Sequence, residues 1–561
     1  MPIDSASTLA EHTAPVRART AFERPARLDI VNAVEAILVL VGAVFFALHF
    51  VHLKADFPNG SPWMDWAKYT DEGWYGDAAI RHYQLGHWNV PGDFNPGAAL
   101  PVWPLVELVL FRFTGVSLVA ARALTVTVFG LILACVYRLI HRGAHPALGD
   151  YADQANRVSL APSIAAALLA VSPFCFAFSR LAILEPLLIL VTLASLIAAS
   201  AVGDAGVLVS KSWKDDHKAR AEQLRRFAAW TVVLGLLLPL MVLTKTTGIF
   251  LFPAIFWMLW AACGYRVKLF VGAAALACSV GIAVWSGYYL VFVRPHYLID
   301  YRYLFSANAY TGITLATCWQ VMHDAVLDIS WIGGTLFVLA LIAVVGSLAS
   351  LGMRTGRENP LIISLLLWTC GYGAFLTYHA NLQPRYYLVI AIPLTMLTAI
   401  AFDWLLARAL RRRVGMSFGE RVVQLAAVAG TLALLFALGT GAAQTLKYLR
   451  HPEFGWWSAA QQVRSIVERD AVAERSRSGM AHSQLVVSIS GSDISLMTGL
   501  PSICDDFGTM TLAERVATYR PGWFASWNDV EDDKMEALAP LFRLERVATI
   551  PVFDDPERNL L

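Results

Sequence analysis

The side chains in this sequence best suited to chemistry are a few charged residues at the rims of long apolar runs. Asp71 and Glu72 are adjacent carboxylates in the aromatic-rich stretch WMDWAKYTDEGWYGDAAIRHYQLGHW. Partial desolvation at a water–lipid boundary raises a carboxylate pKa toward the range in which it takes a proton from a hydroxyl. The alternative is a solvated acidic turn beside an interfacial belt of Trp63, Trp66, Tyr69, Trp74, Tyr75, Tyr83 and Trp88. Arg180 and Glu185 bracket FSRLAILEPLLIL. A carboxylate at the mouth of an apolar helix is costly unless it is paired or used. Otherwise Glu185 is an N-terminal charge favoured by the helix dipole ahead of Pro186, with Arg180 as an interfacial anchor.

Two further cations stand at such rims. Lys245, in the short connection VLTKTTGIF, either binds phosphate as a point charge or snorkels to lipid headgroups. Arg385, in HANLQPRYYLVIAIP beside Tyr386 and Tyr387, either offers phosphate a guanidinium fork or anchors the chain at the interface. His296, His323 and His379 are isolated and read as boundary residues rather than metal ligands. No cofactor is required by this set, although Asp71, Glu72 and Glu185 together could form an oxygen-ligand site for a divalent metal.

The elements that must position these groups are membrane helices. The 561 residues are 57% hydrophobic and only 15% charged, far more apolar than a soluble domain needs. A net charge of +2 gives no field of the kind that attracts nucleic acid. Of the seven cysteines, Cys135, Cys175, Cys263, Cys278 and Cys370 fall in apolar stretches, and the remaining Cys318 and Cys504 form no CxxC pair. Runs of about twenty apolar residues, enough to cross hydrocarbon as a helix, recur at 31–51, 118–140, 159–179, 186–205, 227–243, 247–264, 269–293, 328–350, 361–379, 386–407 and 422–443. Eleven transmembrane helices are therefore expected.

Leu100 to Phe113 is short and holds two prolines, Glu107 and Arg112, so it reads as a juxtamembrane helix within a first outer loop, 52–117. With that assignment the basic clusters at Arg138/Arg142/Arg157, Lys211 to Arg226, Arg266/Lys268, Arg354/Arg357 and Arg408 to Arg421 share a side with the N-terminal tail, 1–30, and its Arg17, Arg19, Arg24 and Arg27. The positive-inside rule makes that side cytoplasmic. Asp71, Glu72, Arg180, Glu185, Lys245, the stretch Arg294 to Asp300 and Arg385 then gather on the opposite face. Residues 444–561 have the composition of a soluble segment and read as a small extracytoplasmic α/β domain. Within it QLVVSISG (484–491) is a buried strand with a turn, and DVEDDKMEALAPLFRLERVATIPVF is a helix followed by a strand.

Several of these segments, in this order, resemble the GT-C superfamily of polyprenyl-phosphate-sugar glycosyltransferases, in particular the family 39 protein O-mannosyltransferases and the lipid A aminoarabinose transferases. They are YTDEGWYGDAAI, ALPVWPLVELVLFRFTGVSLVAARAL, FSRLAILEPLLI, LTKTTGIFLFPA and QPRYYLVIAIP, together covering about residues 30 to 400. The resemblance implies that Asp71, beside Glu72, is the catalytic base and that Glu185, near Arg180, takes the second acidic position. It also implies that Lys245, Arg385 and Tyr386 hold donor phosphate, and that Arg122 matches a recurring arginine after the juxtamembrane segment. Two positions depart from the pattern. Glu185 stands where relatives often carry aspartate, and FNPGAALPVWP, around Asn95, lacks the lysine that commonly precedes the prolines.

The expected reaction moves a sugar from a polyprenyl-phosphate donor to a hydroxyl on a lipid, polysaccharide or protein acceptor, with inversion, in a bacterial inner membrane. The competing class is a polytopic transporter or lipid flippase, since many spans with few charges also describe carriers. Against a carrier, the halves show no repeat and the polar groups sit at one face.

Overall fold

The computed structural model describes residues 24–552 apart from 59, 64, 66–67, 145–158, 212–216, 308–311, 328–333, 351–358, 380–382, 411–416, 479–482, 489–490 and 528–530. Trp66, Arg17, Arg19, Arg157, Arg354, Arg357 and part of the Arg408 to Arg421 cluster lie outside the described residues.

Each of the eleven apolar intervals holds apolar helix. Eight helical stretches are long and apolar enough to cross a membrane, and three shorter ones, Ala161–Val171, Thr246–Ala262 and Val338–Ala349, account for the rest. The first elements are α1 (Arg24–Leu48), α2 (Asp71–Leu85), α3 (Val102–Thr114) and α4 (Leu118–Ala144). The interval 159–179 is two helices, α5 (Ala161–Val171) and α6 (Pro173–Phe178), because Pro173 has no N–H to continue α5 and Ser172 turns extended to cap the new helix through the Cys175 amide, 3.2 Å away. There follow α7 (Leu184–Lys211), α8 (His217–Thr244), α9 (Phe252–Ala262), α10 (Val267–Tyr288), α11 (Leu298–Ala307), α12 (Leu315–Leu327), α13 (Gly334–Ser350), α14 (Pro360–Tyr378), α15 (Leu388–Ala409) and α16 (Phe418–Arg450).

Burial separates the centre of the bundle from its lipid-facing rim. The apolar stretch of α7 is 78% buried, whereas that of α1 is 6% buried. α7 packs against α4, α8 and α9, and carries Glu185 at its first turn into the middle of the bundle.

Helix α10 passes through a π-helical stretch, Tyr289–Tyr297, containing Pro295, into α11, so Val267–Ser306 is one apolar rod of 40 residues. At 1.5 Å per residue it is roughly 60 Å long, about twice the hydrocarbon thickness. Its C-terminal end meets the first loop and the C-terminal segment. There the Asn95 amide donates to Asp300 (2.9 Å), and the Tyr303 hydroxyl accepts the Gly508 amide (3.2 Å). As the sequence implies, α3 is a thirteen-residue helix, too short to span, and it lies along α2 where Gly76 makes room for Glu107.

The C-terminal part comprises α17 (Gly455–Ser478), α18 (Gly491–Thr498), α19 (Leu512–Tyr519) and α20 (Glu531–Leu538) around a small parallel sheet of β1 (Val486–Val487), β2 (Ser502–Ile503) and β3 (Trp523–Phe524) in the order β2-β1-β3. Val486 pairs with Ser502 and Trp523, and Val487 with Ile503 and Phe524. The expected helix at 531–538 is present. Among the described residues the expected strand after it is reduced to an isolated bridge at Pro551, and Val547 stays exposed. Val90 of the first loop packs with Val487, Ile503, Leu512 and Leu538, so the loop and the C-terminal segment share a small core.

Candidate active site

Four of the residues singled out in the sequence converge at one end of the bundle, each at a helix start or break. Asp71 opens α2. Glu185 is in the first turn of α7. Lys245 sits in extended conformation (φ −155°, ψ 124°) between the end of α8 and the 3-10 turn Thr246–Leu251. Arg385 lies in the 3-10 turn Pro384–Tyr387 that leads into α15. Arg385, Tyr386 and Tyr387 of the second turn are buried, as are Thr247, Gly248 and Leu251 of the first, whereas Ile249 is exposed.

Arg385 is the hub. Its Nη2 lies 2.6 Å from Asp71, its Nη1 pairs with Asp65, and its Nε lies 3.8 Å from Glu185. Asp65 also accepts the Arg385 backbone amide at 2.9 Å, which fixes the turn as well as the side chain. Lys245 pairs with Glu185, and its Nζ stands 4.1 Å from the centre of the Tyr386 ring; the Arg385 guanidinium is 4.9 Å from the same ring. A ring face that meets two cations stabilises both through its quadrupole. All five charged groups are buried. Among these five groups Asp65, Asp71 and Glu185 set three negative charges against the two positive charges of Lys245 and Arg385, a formal −1, and the Lys68 charge also acts on Asp65. Asp71 is further held by the Thr70 hydroxyl at 3.0 Å. Burial pushes the neighbouring Tyr75 phenol well above its ordinary pKa, with the Asp71 charge adding to the shift.

Glu72 and Arg122 are placed apart from this hub. Arg122 grips Glu72 with two parallel bonds, at 2.8 and 2.5 Å, and donates from its Nη1 to the carbonyls of Leu53 (2.9 Å) and Ala55 (2.5 Å). Glu72 also accepts the Ala182 amide at 2.9 Å. The pair therefore ties together the exit of α1, the first turn of α2 and the approach to α7. Arg180 donates to the carbonyls of Val51 and His52, both at 2.6 Å, with its guanidinium 4.4 Å from the Phe176 ring centre. Among the described residues no group of three or more His, Cys, Asp or Glu side chains has the arrangement to hold a metal ion. His379 packs edge-on against Phe375 and Tyr386.

Breaking the fork should be costly. Arg122→Ala is expected to destabilise the protein by about 3–5 kcal/mol, since it leaves Glu72 buried without its counter-charge. Thermal unfolding in detergent would measure it, with Arg122→Lys recovering only part of the loss because an ammonium cannot reproduce the fork.

A second network docks the C-terminal segment on the first loop. Arg81 pairs with Asp77 at 2.8 Å and with Asp93, which Arg515 holds from the other side at 2.9 Å. Arg515 also donates to the carbonyls of Cys504, Asp506 and Phe507. Burial, with Asp93 adding to it against the pull of Arg81, raises the Asp77 carboxyl to about 7. An exposed aspartate releases its proton near pH 4. The stabilisation from the protonated form is thus whole below about pH 4 and is lost as pH rises through about 7. Raising the pH from 5 to 8 is therefore expected to loosen the contact between α2 and α18, and Asp77→Asn to remove that dependence. Amide exchange across residues 491–498 at the two pH values is the measurement.

Sequence reasoning missed Asp65, Asp77, Asp93, Arg515 and Asp493. Asp65 lies within the aromatic stretch but carries no local mark of its pairing with a residue 320 positions away. One local signal was present near Asp493. Gly73 sits in the first turn of α2 where a side chain would collide with α18.

No protein-family model and no curated protein matches the sequence. Solved structures do match in fold. The crystal structure of ArnT from Cupriavidus metallidurans in the apo state superposes with a TM-score of 0.53 at 14% sequence identity, covering 94% of this chain and 98% of that one. The structure of the same protein bound to undecaprenyl phosphate gives 0.53 at 15% identity, over 95% and 97% of the two chains. At this identity the likeness is one of architecture, and it extends over nearly the whole of both chains. The chain is a predominantly helical polytopic membrane protein that shares the fold of ArnT and carries a small parallel sheet in its C-terminal part.

Proposed function

We propose that the protein is a membrane glycosyltransferase that moves a sugar from a polyprenyl-phosphate donor to an acceptor hydroxyl, with Asp71 as general base. The observation that carries this reading is the Asp71–Arg385–Lys245–Glu185 cluster, a buried carboxylate base beside two cations at one end of the bundle. Support also comes from the fold, which is shared with ArnT, a protein crystallised bound to undecaprenyl phosphate.

The acceptor oxygen attacks the anomeric carbon as the bond to the phosphate oxygen breaks. Its proton passes to Asp71, and the polyprenyl phosphate leaves with the bonding pair. One direct displacement inverts the anomeric centre. Lys245 and Arg385 take up the negative charge that develops on the leaving phosphate, and preorganised cations in a desolvated site contribute most there. Because the cluster already holds more carboxylates than cations, donor phosphate must replace part of the existing pairing. Glu185 surrenders Lys245, and Arg385 turns from Asp71 toward the phosphate, which frees the base. The donor thus switches on its own general base. The chemistry does not demand a divalent metal, since the two cations meet the charge of a phosphomonoester.

Glu72, Arg122 and Arg180 act in this reading as anchors that fix the turn bearing Asp71. The site end of the bundle, with the C-terminal segment, faces away from the cytoplasm of a bacterial inner membrane, and the N-terminus lies inside. Labelled polyprenyl-phosphate sugars supplied to membranes with wild type or Asp71→Asn test the proposal. Label reaching lipid, polysaccharide or protein only with wild type supports it and identifies the acceptor class. No Asp71-dependent transfer from any donor by a folded protein overturns it in favour of a carrier.

A further inference from the structure

We infer that Asp493 of the C-terminal segment is a positioning residue for the transfer reaction: by accepting the Gly73 amide it holds the turn that carries Asp71, so the C-terminal segment completes the site. This rests on the glycosyltransferase reading above. The first amides of a helix have no partner within the helix and usually take one from the N-cap side chain. In α2 that device is missing. The Thr70 hydroxyl is committed to Asp71 and caps no amide. The Gly73 amide instead donates to Asp493, which lies 420 positions further along the chain.

Three independent features show that this contact is built in. A Cβ at Gly73 would collide with the backbone of Ser492 and Asp493, so the close approach requires glycine there. The adjacent Ser492 hydroxyl donates to Asp77, one turn further along the same face of α2, which gives α18 a second grip. Asp493 and Ser492 are both buried, and α18 is buried along its whole length. Burial, reinforced by the Glu72 and Asp71 charges, pushes the Asp493 carboxyl well above the usual range. A neutral carboxyl still accepts the amide through its carbonyl oxygen, and it places no second negative charge beside the base.

A base misplaced by about 1 Å loses on the order of a hundredfold in rate. Asp493→Ala is therefore expected to lower kcat roughly ten- to a hundredfold with the donor KM nearly unchanged, because Asp493 touches neither Lys245 nor Arg385. Asp493→Asn is expected to restore kcat, since its amide oxygen accepts the same bond and matches the neutral acid. Hydrogen exchange at the Gly73 amide is to be followed in the full-length protein alongside kcat, with wild type and Asp71→Asn as references. Faster exchange and lower kcat in Asp493→Ala, both reversed in Asp493→Asn, support the inference.

Unchanged exchange, unchanged kcat, or an Asp493→Asn variant as impaired as Asp493→Ala overturns it. If Asp493→Ala does not fold, Asp493→Glu keeps the carboxyl but its extra methylene misplaces the acceptor, and it must lower kcat in the same way. Should wild type show no Asp71-dependent transfer, the glycosyltransferase reading fails, and the positioning role falls with it. Transfer that depends on Asp71 but not on Asp493 removes only the present inference.

Discussion

Asp71→Asn is expected to reduce transfer by about 10²–10⁴-fold while leaving the protein folded and the donor KM unchanged or lower. The loss follows from chemistry, because an amide cannot take the acceptor proton. The intact fold follows from geometry. Asparagine retains an oxygen to accept from Thr70 or Arg385, and Arg385 keeps its pairing to Asp65 through both side chain and backbone. The expected KM follows from charge. Removing one carboxylate from a cluster of three against two cations leaves Arg385 more available to phosphate. Steady-state kinetics with a labelled donor would check all three parts. A variant that bound donor poorly yet turned over at the wild-type rate would move Asp71 from base to ligand-binding residue.

The second large effect is expected at Arg385. Arg385→Ala leaves Asp71 buried without its counter-charge, takes the fork away from Asp65 and shifts the formal balance of the five groups from −1 to −2. Removing one partner of a buried ion pair costs about 3–5 kcal/mol, so much of this variant should fail to fold. Arg385→Lys separates stability from function. It keeps the charge, but a single ammonium cannot serve Asp65 and Asp71 at the same time. It is expected to unfold at a temperature between those of wild type and Arg385→Ala. Its kcat should fall by about 10²–10³-fold, the usual cost of losing one preorganised donor to a developing anion. Thermal unfolding in detergent, paired with kinetics on the folded fraction, distinguishes the two contributions. Full activity in Arg385→Lys would mean that the fork serves only the fold.

The two effects share a cause. The five groups are more acidic than basic until phosphate arrives, and each of their charges already has a partner within the protein. Such an arrangement keeps the resting site stable in a low-dielectric setting, because no charge is buried alone. It also makes donor binding an exchange of partners rather than a simple addition.

What the sequence determined by itself was the membrane architecture and the identity of the rim charges. Hydrocarbon imposes a minimum length and an apolar composition on every span, and both can be read along the chain without knowing what packs on what. All eleven intervals accordingly hold helix, and α3 was recognised as too short by its prolines and charges. Asp71, Glu185, Lys245 and Arg385 were visible because a charge beside an apolar run is costly and therefore rare. The tertiary structure alone decided the pairing. Glu72, a candidate from its own position, and Arg122, implied only by the resemblance, are joined to each other, whereas Asp65 is the partner of Arg385. Asp493 was equally hidden. It lies in a polar segment where a carboxylate has no cost to advertise, and it becomes informative only when folding brings it against Gly73. Local cost marks which residues must be accommodated; which of them meet is set by packing over hundreds of positions, a property of the fold and not of any one stretch of chain.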